Sequence, residues 1–376
     1  MDSTVSPPQA GGPPRAKPRD RHLARAAARA LRRPELGALS ATVFVFLVFG
    51  LTAGDSGLFS VLGITNFLQV SAQLGILATA VALLMIGGEF DLSLGSMIGF
   101  AGIVIGLCTV QFGLPMWLSI AVAFGFAILV GAANGLLVMR TGLPSFIVTL
   151  AGYFVLRGLS LAVTRTITGR TQIPYITKGT TETEMVWLFG GKFATGLFRW
   201  LGQIGAVPLR ADGIPIVQGL PMSILWWVVL TAVATWILAR TRFGHWIFAV
   251  GGDMQAARSM GVPVARVKIL LFIGTACAAT LFATIQVLES GSADTLRGTQ
   301  KEFEAVIAAV IGGNLLTGGY GSAIGAMFGA LVFGTVEMGI FYTGIDSDWF
   351  MVFLGLMVLL AVLFNNYVRR KATEAR

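Results

Sequence analysis

The stretch Gly87-Gly88-Glu89-Phe90-Asp91-Leu92-Ser93-Leu94-Gly95-Ser96 separates two apolar blocks, residues 66–86 and 94–112. Each block is long enough for a helix that crosses about 30 Å of hydrocarbon. A glycine pair breaks a helix readily, and Asp91 or Ser93 can accept hydrogen bonds from the free N–H groups of the helix that follows. That makes the stretch a capped helix break. Carboxylates near membrane depth are costly and face protein or a water-filled path, which gives Glu89, Asp91 and Ser93 a second reading as polar groups of a translocation pathway. The residues alone leave both readings open.

The same alternation of apolar block and short break continues along the chain. Of its 376 residues, 55% are hydrophobic and 12% charged, with a mean hydropathy of +0.79. A soluble domain cannot hide that much apolar surface. Spans are expected near 36–54, 66–86, 94–112, 116–138, 145–163, 220–239, 266–288, 303–317, 322–343 and 348–366. The fold class is therefore an all-α integral membrane protein with about ten transmembrane helices, some broken or re-entrant. The 48 glycines suit it, because small residues let helices approach closely in lipid.

A formal charge of +9 first suggests nucleic acid, but the basic residues sit at the ends of apolar blocks rather than on one face. Arg15, Lys17, Arg19, Arg21, Arg25, Arg29, Arg32 and Arg33 precede the first block. Lysine and arginine flanking spans stay inside, so both termini are expected in the cytoplasm, with Arg140, the loop of Arg240, Arg242, Arg258, Arg266 and Lys268, and the tail of Arg369, Arg370 and Lys371. Domain organisation follows. Residues 1–35 form a basic tail, disordered over 1–20 and able to lie as a helix on anionic lipid over 21–33. Residues 36–366 form the membrane domain, with an extended loop outside, on the periplasmic side if the membrane is a bacterial inner one, at 164–219 and a cytoplasmic loop at 240–266, and 367–376 is a cytoplasmic tail. The charged segment before the first span is unlike a cleaved signal peptide and is expected to be retained. No nucleic-acid partner is expected. Cys108 and Cys277 lie in apolar blocks and read as small hydrophobes, and two histidines cannot build a His/Cys metal cluster, so no cofactor or metal is expected.

A second break, Gly312-Gly313-Asn314-Leu315-Leu316-Thr317-Gly318-Gly319-Tyr320-Gly321-Ser322, looks related to the first. Gly87-Gly88 leads to Gly95-Ser96-Met97-Ile98-Gly99, and Gly312-Gly313 leads to Gly321-Ser322-Ala323-Ile324-Gly325. Internal repeats and broken helices are a habit of transporters, which places Asn314 beside the first break's polar groups as a pathway candidate. No G-x-x-x-x-G-K-[ST] occurs, so the chain is not expected to hydrolyse nucleotide. Between these breaks, Gly251-Gly252-Asp253-Met254-Gln255-Ala256-Ala257-Arg258-Ser259-Met260-Gly261 specifies a short helix, with Asp253 as N-cap and Gly261 as terminator. His245, without partners for nucleophile chemistry, reads as packing. The outer loop carries Met185, Val186, Trp187, Leu188 and Phe189, then Leu197, Phe198, Trp200 and Leu201, either an interfacial cap or a landing site for a partner. Asn134, Arg157, Glu289, Glu304 and Glu337 are polar groups in apolar blocks, read as helix-pairing groups or as solute contacts.

At these residues the chain resembles the permease subunits of bacterial ABC importers for simple sugars, the ribose, galactose and xylose type. The first break is similar to that family's G-G-x-D-L-S-x-G-S signature, with Glu89-Phe90 where one residue is usual. Thr241 to Gly261 is similar to its T-R-F-G-R-x-x-x-A-x-G-G-N-x-x-A-A-x-x-S-G segment, with Asp253 for the common Asn and His245 for the common Arg. Further matches are Asn134-Gly135-Leu136-Leu137, Pro144 with Phe146 to Leu150, Arg157-Gly158-Leu159, and Ala308 to Gly325, so the likeness covers about residues 40–366. The resemblance implies a transporter subunit of the bacterial inner membrane rather than an enzyme. It implies that Gly251, Gly252, Asp253, Ala256, Ala257, Arg258 and Gly261 form a coupling helix seated in a cytoplasmic ATPase subunit. It further implies a second permease copy, a homodimer, a periplasmic sugar-binding protein, and alternating access driven by ATP. Branched-chain amino acids or another small polar solute, and an ATP-independent secondary transporter, remain the rival readings.

Overall fold

The computed structural model describes residues 34–178, 182–346 and 348–374. The expected disordered tail at 1–20 and basic helix at 21–33 lie outside the described residues.

Helix α1 (Pro34–Thr52) is followed by α2 (Val61–Ile86), α3 (Leu94–Gly106), α4 (Met116–Thr141) and α5 (Ser145–Thr168). A π-helical turn, Leu107–Gln111, prolongs α3 to membrane-spanning length. After β1 (Gln172–Ile173) come α6 (Thr183–Gly190), β2 (Lys192–Phe193), α7 (Thr195–Gln203), β3 (Leu220–Pro221) and α8 (Met222–Arg240). The chain then forms α9 (Arg242–Gly252), α10 (Met254–Ser259), α11 (Val264–Ser290), β4 (Ala293–Asp294), α12 (Lys301–Ile311), α13 (Ala323–Thr343) and α14 (Trp349–Glu374). Among the described residues seven helices, α2 to α5, α8, α11 and α13, are long and apolar enough to cross a membrane, and α1 and α14 contain shorter apolar stretches.

The expected span at 303–317 is instead an 11-residue helix ending at Ile311. At about 1.5 Å per residue it reaches about 16 Å, half of a bilayer core. Gly312 closes it where apolar composition alone continues.

Helices α2, α3, α11 and α13 are mostly buried and form the centre, whereas α5 is mostly exposed and carries Phe146, Ile147, Phe154 and Val155 outward. The core gathers Phe272, Phe282, Phe333, Met97 and Ile98, each fully enclosed. Small residues set the closest crossing. A Cβ added at Gly131 would lie 2.6 Å from Ile273 Cα, and one at Gly135 2.7 Å from Ile269 Cα, so α4 lies directly on α11.

The described residues of the loop at 164–219 are structured. Antiparallel β1 and β4 tie its start to the segment after α11, and β2 pairs with β3 across its length. Phe189 stacks on Trp226 at 5.5 Å with an interplanar angle of 1°, and Trp226 Nε1 donates to Leu188 O at 3.0 Å. Phe198 is buried with Val207 and Val217, while Trp187 and Trp200 stay exposed. The aromatic patch is thus two short helices docked on helix ends, with a tryptophan facing out from each.

Candidate functional site

The first break begins as α2 ends at Gly87, and Gly88 takes a left-handed φ of +81° that only glycine adopts freely. Its amides are then satisfied from another helix: Phe90 N–H donates to Ser145 Oγ at 3.1 Å and Leu92 N–H to Thr149 Oγ1 at 3.0 Å, both on α5. Asp91 does not cap α3 as expected. Its Oδ1 accepts from Ser93 N–H at 2.9 Å and Ser93 Oγ at 2.6 Å, and its Oδ2 accepts from Thr275 Oγ1 on α11 at 2.7 Å. Asn134 Nδ2 on α4 donates to Ser93 Oγ at 3.0 Å. One carboxylate therefore joins the break to α11, and through Ser93 to α4. Glu89, the residue additional to the family signature, pairs with Lys268 on α11, both side chains buried. A buried charge requires such a partner.

The second break repeats the first in its backbone. Gly87 and Gly312 end their helices near φ −71° and −67°, and the next residues, Gly88 and Gly313, have φ of +81° and +84°. Gly87, Gly88 and Glu89 donate to Leu83, Met85 and Leu84; Gly312, Gly313 and Asn314 donate in the same pattern to Ala308, Val310 and Ala309. Asn314 is buried, its Nδ2 donating to Ala309 O at 2.8 Å and its Oδ1 accepting from Ser322 N–H at 2.9 Å. It holds the loop closed on α12.

The two breaks meet beneath α9. Gly319 N–H donates to Ile86 O at 2.8 Å. A Cβ added at Gly251 would lie 1.8 Å from Ile86 O and 2.7 Å from Gly319 N, and one at Gly318 would lie 2.8 Å from both Gly251 O and Gly88 Cα. Three glycine segments thus touch backbone to backbone. Immediately beyond, Asp253 Oδ1 accepts from Gln255 N–H and Ala256 N–H, each at 2.9 Å, and so caps α10 as its position predicts. Gly252, Asp253, Ala256, Arg258 and Gly261 are exposed while Ala257 is buried, so α10 presents one face outward from an elbow fixed at Gly251.

The structure brings Asp91, Ser93 and Asn134 into one buried network and places Glu89 in the same break, with Asn314 bracing the other break. Sequence reading missed Lys268, Ser145, Thr149 and Thr275. Lys268 carried a signal as the fifth residue of a membrane helix, and Thr149 lies within the family match Phe146 to Leu150. Glu289 accepts from Gln69 and Gln73 at 3.3 and 2.8 Å between α11 and α2, as a helix-pairing group. Arg157 reaches Thr295 O at 2.6 Å, and Glu304 pairs with Lys301.

Residues 63–362 match the family described as branched-chain amino acid transport system, permease component. The chain is 29% identical to the xylose transport system permease protein of Escherichia coli (strain K12), over 89% of this chain and 92% of that protein. It is 31% identical to the fructose import permease protein of Rhizobium meliloti, over 88% of this chain and 84% of that protein. It is 30% identical to the ribose import permease protein of Escherichia coli (strain K12), over 82% and 87%. This likeness agrees with the family resemblance carried by the glycine breaks and the elbow. The chain is a multi-pass inner-membrane protein and not an enzyme, and it belongs to the permease family of ABC importers that its relatives for simple sugars represent.

Proposed function

We propose that this chain is the transmembrane subunit of an ATP-binding cassette importer that moves a monosaccharide, a pentose, hexose or related polyol, by alternating access. Its partners are a separate cytoplasmic ATPase subunit, a second copy of the permease and a periplasmic sugar-binding protein. Both termini and the 240–266 loop lie in the cytoplasm and the 164–219 loop faces the periplasm, a topology that the placement of Arg140, Arg240, Arg242 and Arg258 supports.

The observation that carries this reading is the contact of Gly251 with both helix breaks. An ATPase subunit that shifts α10 moves the elbow, and the elbow has no side chains between it and Ile86 or Gly319 to absorb the displacement. The breaks bearing Glu89, Asp91, Ser93 and Asn314, with Asn134 of α4 bonded to the first of them, then border the path and change its opening. Nucleotide and loaded binding protein drive the cycle only through their different affinities for the inward and outward states.

The family description favours a second reading, a permease for branched-chain amino acids. Xylose, fructose and ribose, named for relatives that share most of this chain's length, favour sugar. Co-purification of the tagged permease in mild detergent with its candidate ATPase and binding protein decides between them. A captured ATPase stimulated by binding protein loaded with xylose, ribose or fructose supports the sugar importer. Stimulation by leucine or valine alone, or isolation of a permease that transports without ATP, overturns it.

A further inference from the structure

A second polar cluster lies away from the glycine junction, where α5 meets the segment leading into α12. Arg157 lies about 18 Å along the 24-residue α5, near its middle. Its Nη1 donates to Thr295 O at 2.6 Å and its Nη2 to Thr299 Oγ1 at 3.2 Å, with Cζ 5.4 Å from the centre of the Tyr153 ring. Thr299 and Gln300 are exposed, and Arg157, Lys301 and Glu304 half-exposed. Lys301 and Glu304 pair with each other on the same surface.

A charged side chain midway along a membrane helix, as Arg157 is on α5, is costly against lipid tails and faces protein or water. Behind this surface, Thr295 and Glu302 are buried, and Thr295 Oγ1 and Glu302 Oε2 have no hydrogen-bond partner. Glu302 Oε2 sits against Gly95 at the start of α3, 1.8 Å from where a Cβ would stand, and within the field of the Arg157 guanidinium. Both atoms belong to the wall behind this surface and do not themselves face solute. Exposed Leu296 and Phe303 flank the polar groups, giving the mixture of apolar wall and few donors and acceptors that suits a small polyhydroxylated ring.

We propose that Arg157, Thr299, Gln300, Lys301 and Glu304 line the water-filled solute path and hydrogen-bond the hydroxyls of a neutral sugar in transit. This rests on the sugar-importer reading. Asp91 and Ser93 of the first break and Asn134 of α4, all buried, then shape the wall from behind. The elements share the work, with α5 and α12 meeting solute and the glycine junction moving them.

The test uses the full importer complex in proteoliposomes, with Cys108→Ala and Cys277→Ala as background. Thr299→Cys and Gln300→Cys are exposed to a charged, membrane-impermeant methanethiosulfonate, with Leu129→Cys on the apolar surface of α4 as the lipid-facing control. Labelling at 299 and 300 at least tenfold faster than at 129 is expected, and the double variant Thr299→Val/Gln300→Leu should lower uptake of the transported sugar at least fivefold while ATP hydrolysis stimulated by binding protein is kept. Labelling no faster than at 129 means that lipid or the second permease copy covers this surface, and overturns the proposal, as does parent-level uptake by the double variant. Failure of the importer reading is seen separately, as absence of ATP-dependent uptake of xylose, ribose and fructose by the parent complex.

Discussion

Lys268, on the first turns of α11, pairs with Glu89 inside the first helix break, and both side chains are buried. The contact links the helix that follows the elbow to the break that the elbow touches. It adds a charged tie to a region otherwise held by backbone contact between glycines.

Removing one partner of a buried pair leaves an uncompensated charge, at a cost of about 3–5 kcal/mol. Glu89→Gln and Lys268→Met are each expected to lower the unfolding temperature of the detergent-purified protein markedly. The double variant should recover most of the loss, since replacing a whole buried pair is far less costly than halving it. Equal losses for single and double variants would show that the two residues do not depend on each other.

Gly251 and Gly252 are neighbours in sequence with opposite surroundings. A Cβ at Gly251 collides with Ile86 O, whereas one at Gly252 meets nothing within 4 Å. Gly251→Ala is therefore expected to reduce transport or folded yield strongly, and Gly252→Ala to leave both near parent level. Gly252→Trp, which fills the exposed face beside α10, should instead uncouple ATP hydrolysis from uptake while the protein inserts normally. Hydrolysis and uptake assays on the three variants separate these outcomes.

Asp253 caps two amides of a six-residue helix that has little else to hold it. Asp253→Ala should cost about 1 kcal/mol of local stability, and Asp253→Asn little, because both Asp and Asn accept from the N2 and N3 amides. Faster hydrogen exchange over 254–260 in the alanine variant alone is the expected readout.

Asp91 spans two elements. Asp91→Asn keeps one oxygen but loses an acceptor to either Ser93 or Thr275, and Thr275→Val removes only the α11 link. With each buried hydrogen bond to a charged group contributing about 1.5–3 kcal/mol, Thr275→Val should destabilise less than Asp91→Ala, and the two changes together should be less than additive. Thermal unfolding of the three variants checks this.

The helix order, the glycine breaks and the Asp253 cap were legible because each is written in adjacent residues. Apolar length marks a span, a glycine pair marks a break, and an aspartate three residues before a short helix's middle marks its cap. The pairing of Glu89 with Lys268, and of Asp91 with Thr275, was not legible, because the partners stand 179 and 184 residues apart. The half-length α12 reads as a span because Val306 to Ile311 is a continuous apolar run; the cap at Gly312 and the left-handed Gly313 stop it. Ser145 and Thr149 stand one turn apart at the start of α5, and their role as acceptors for the first break depends on where α5 packs.

In the proposed mechanism an ATPase drives sugar import through the elbow at Gly251 to Gly261. ATP-dependent uptake of xylose, ribose and fructose by the complex reconstituted with binding protein, comparing the parent with Arg258→Glu, tests it most directly. Uptake of one of these sugars by the parent only when ATP is present, and a loss of at least tenfold in Arg258→Glu despite normal insertion, are expected. Uptake without ATP, or parent-level uptake by Arg258→Glu, would contradict it.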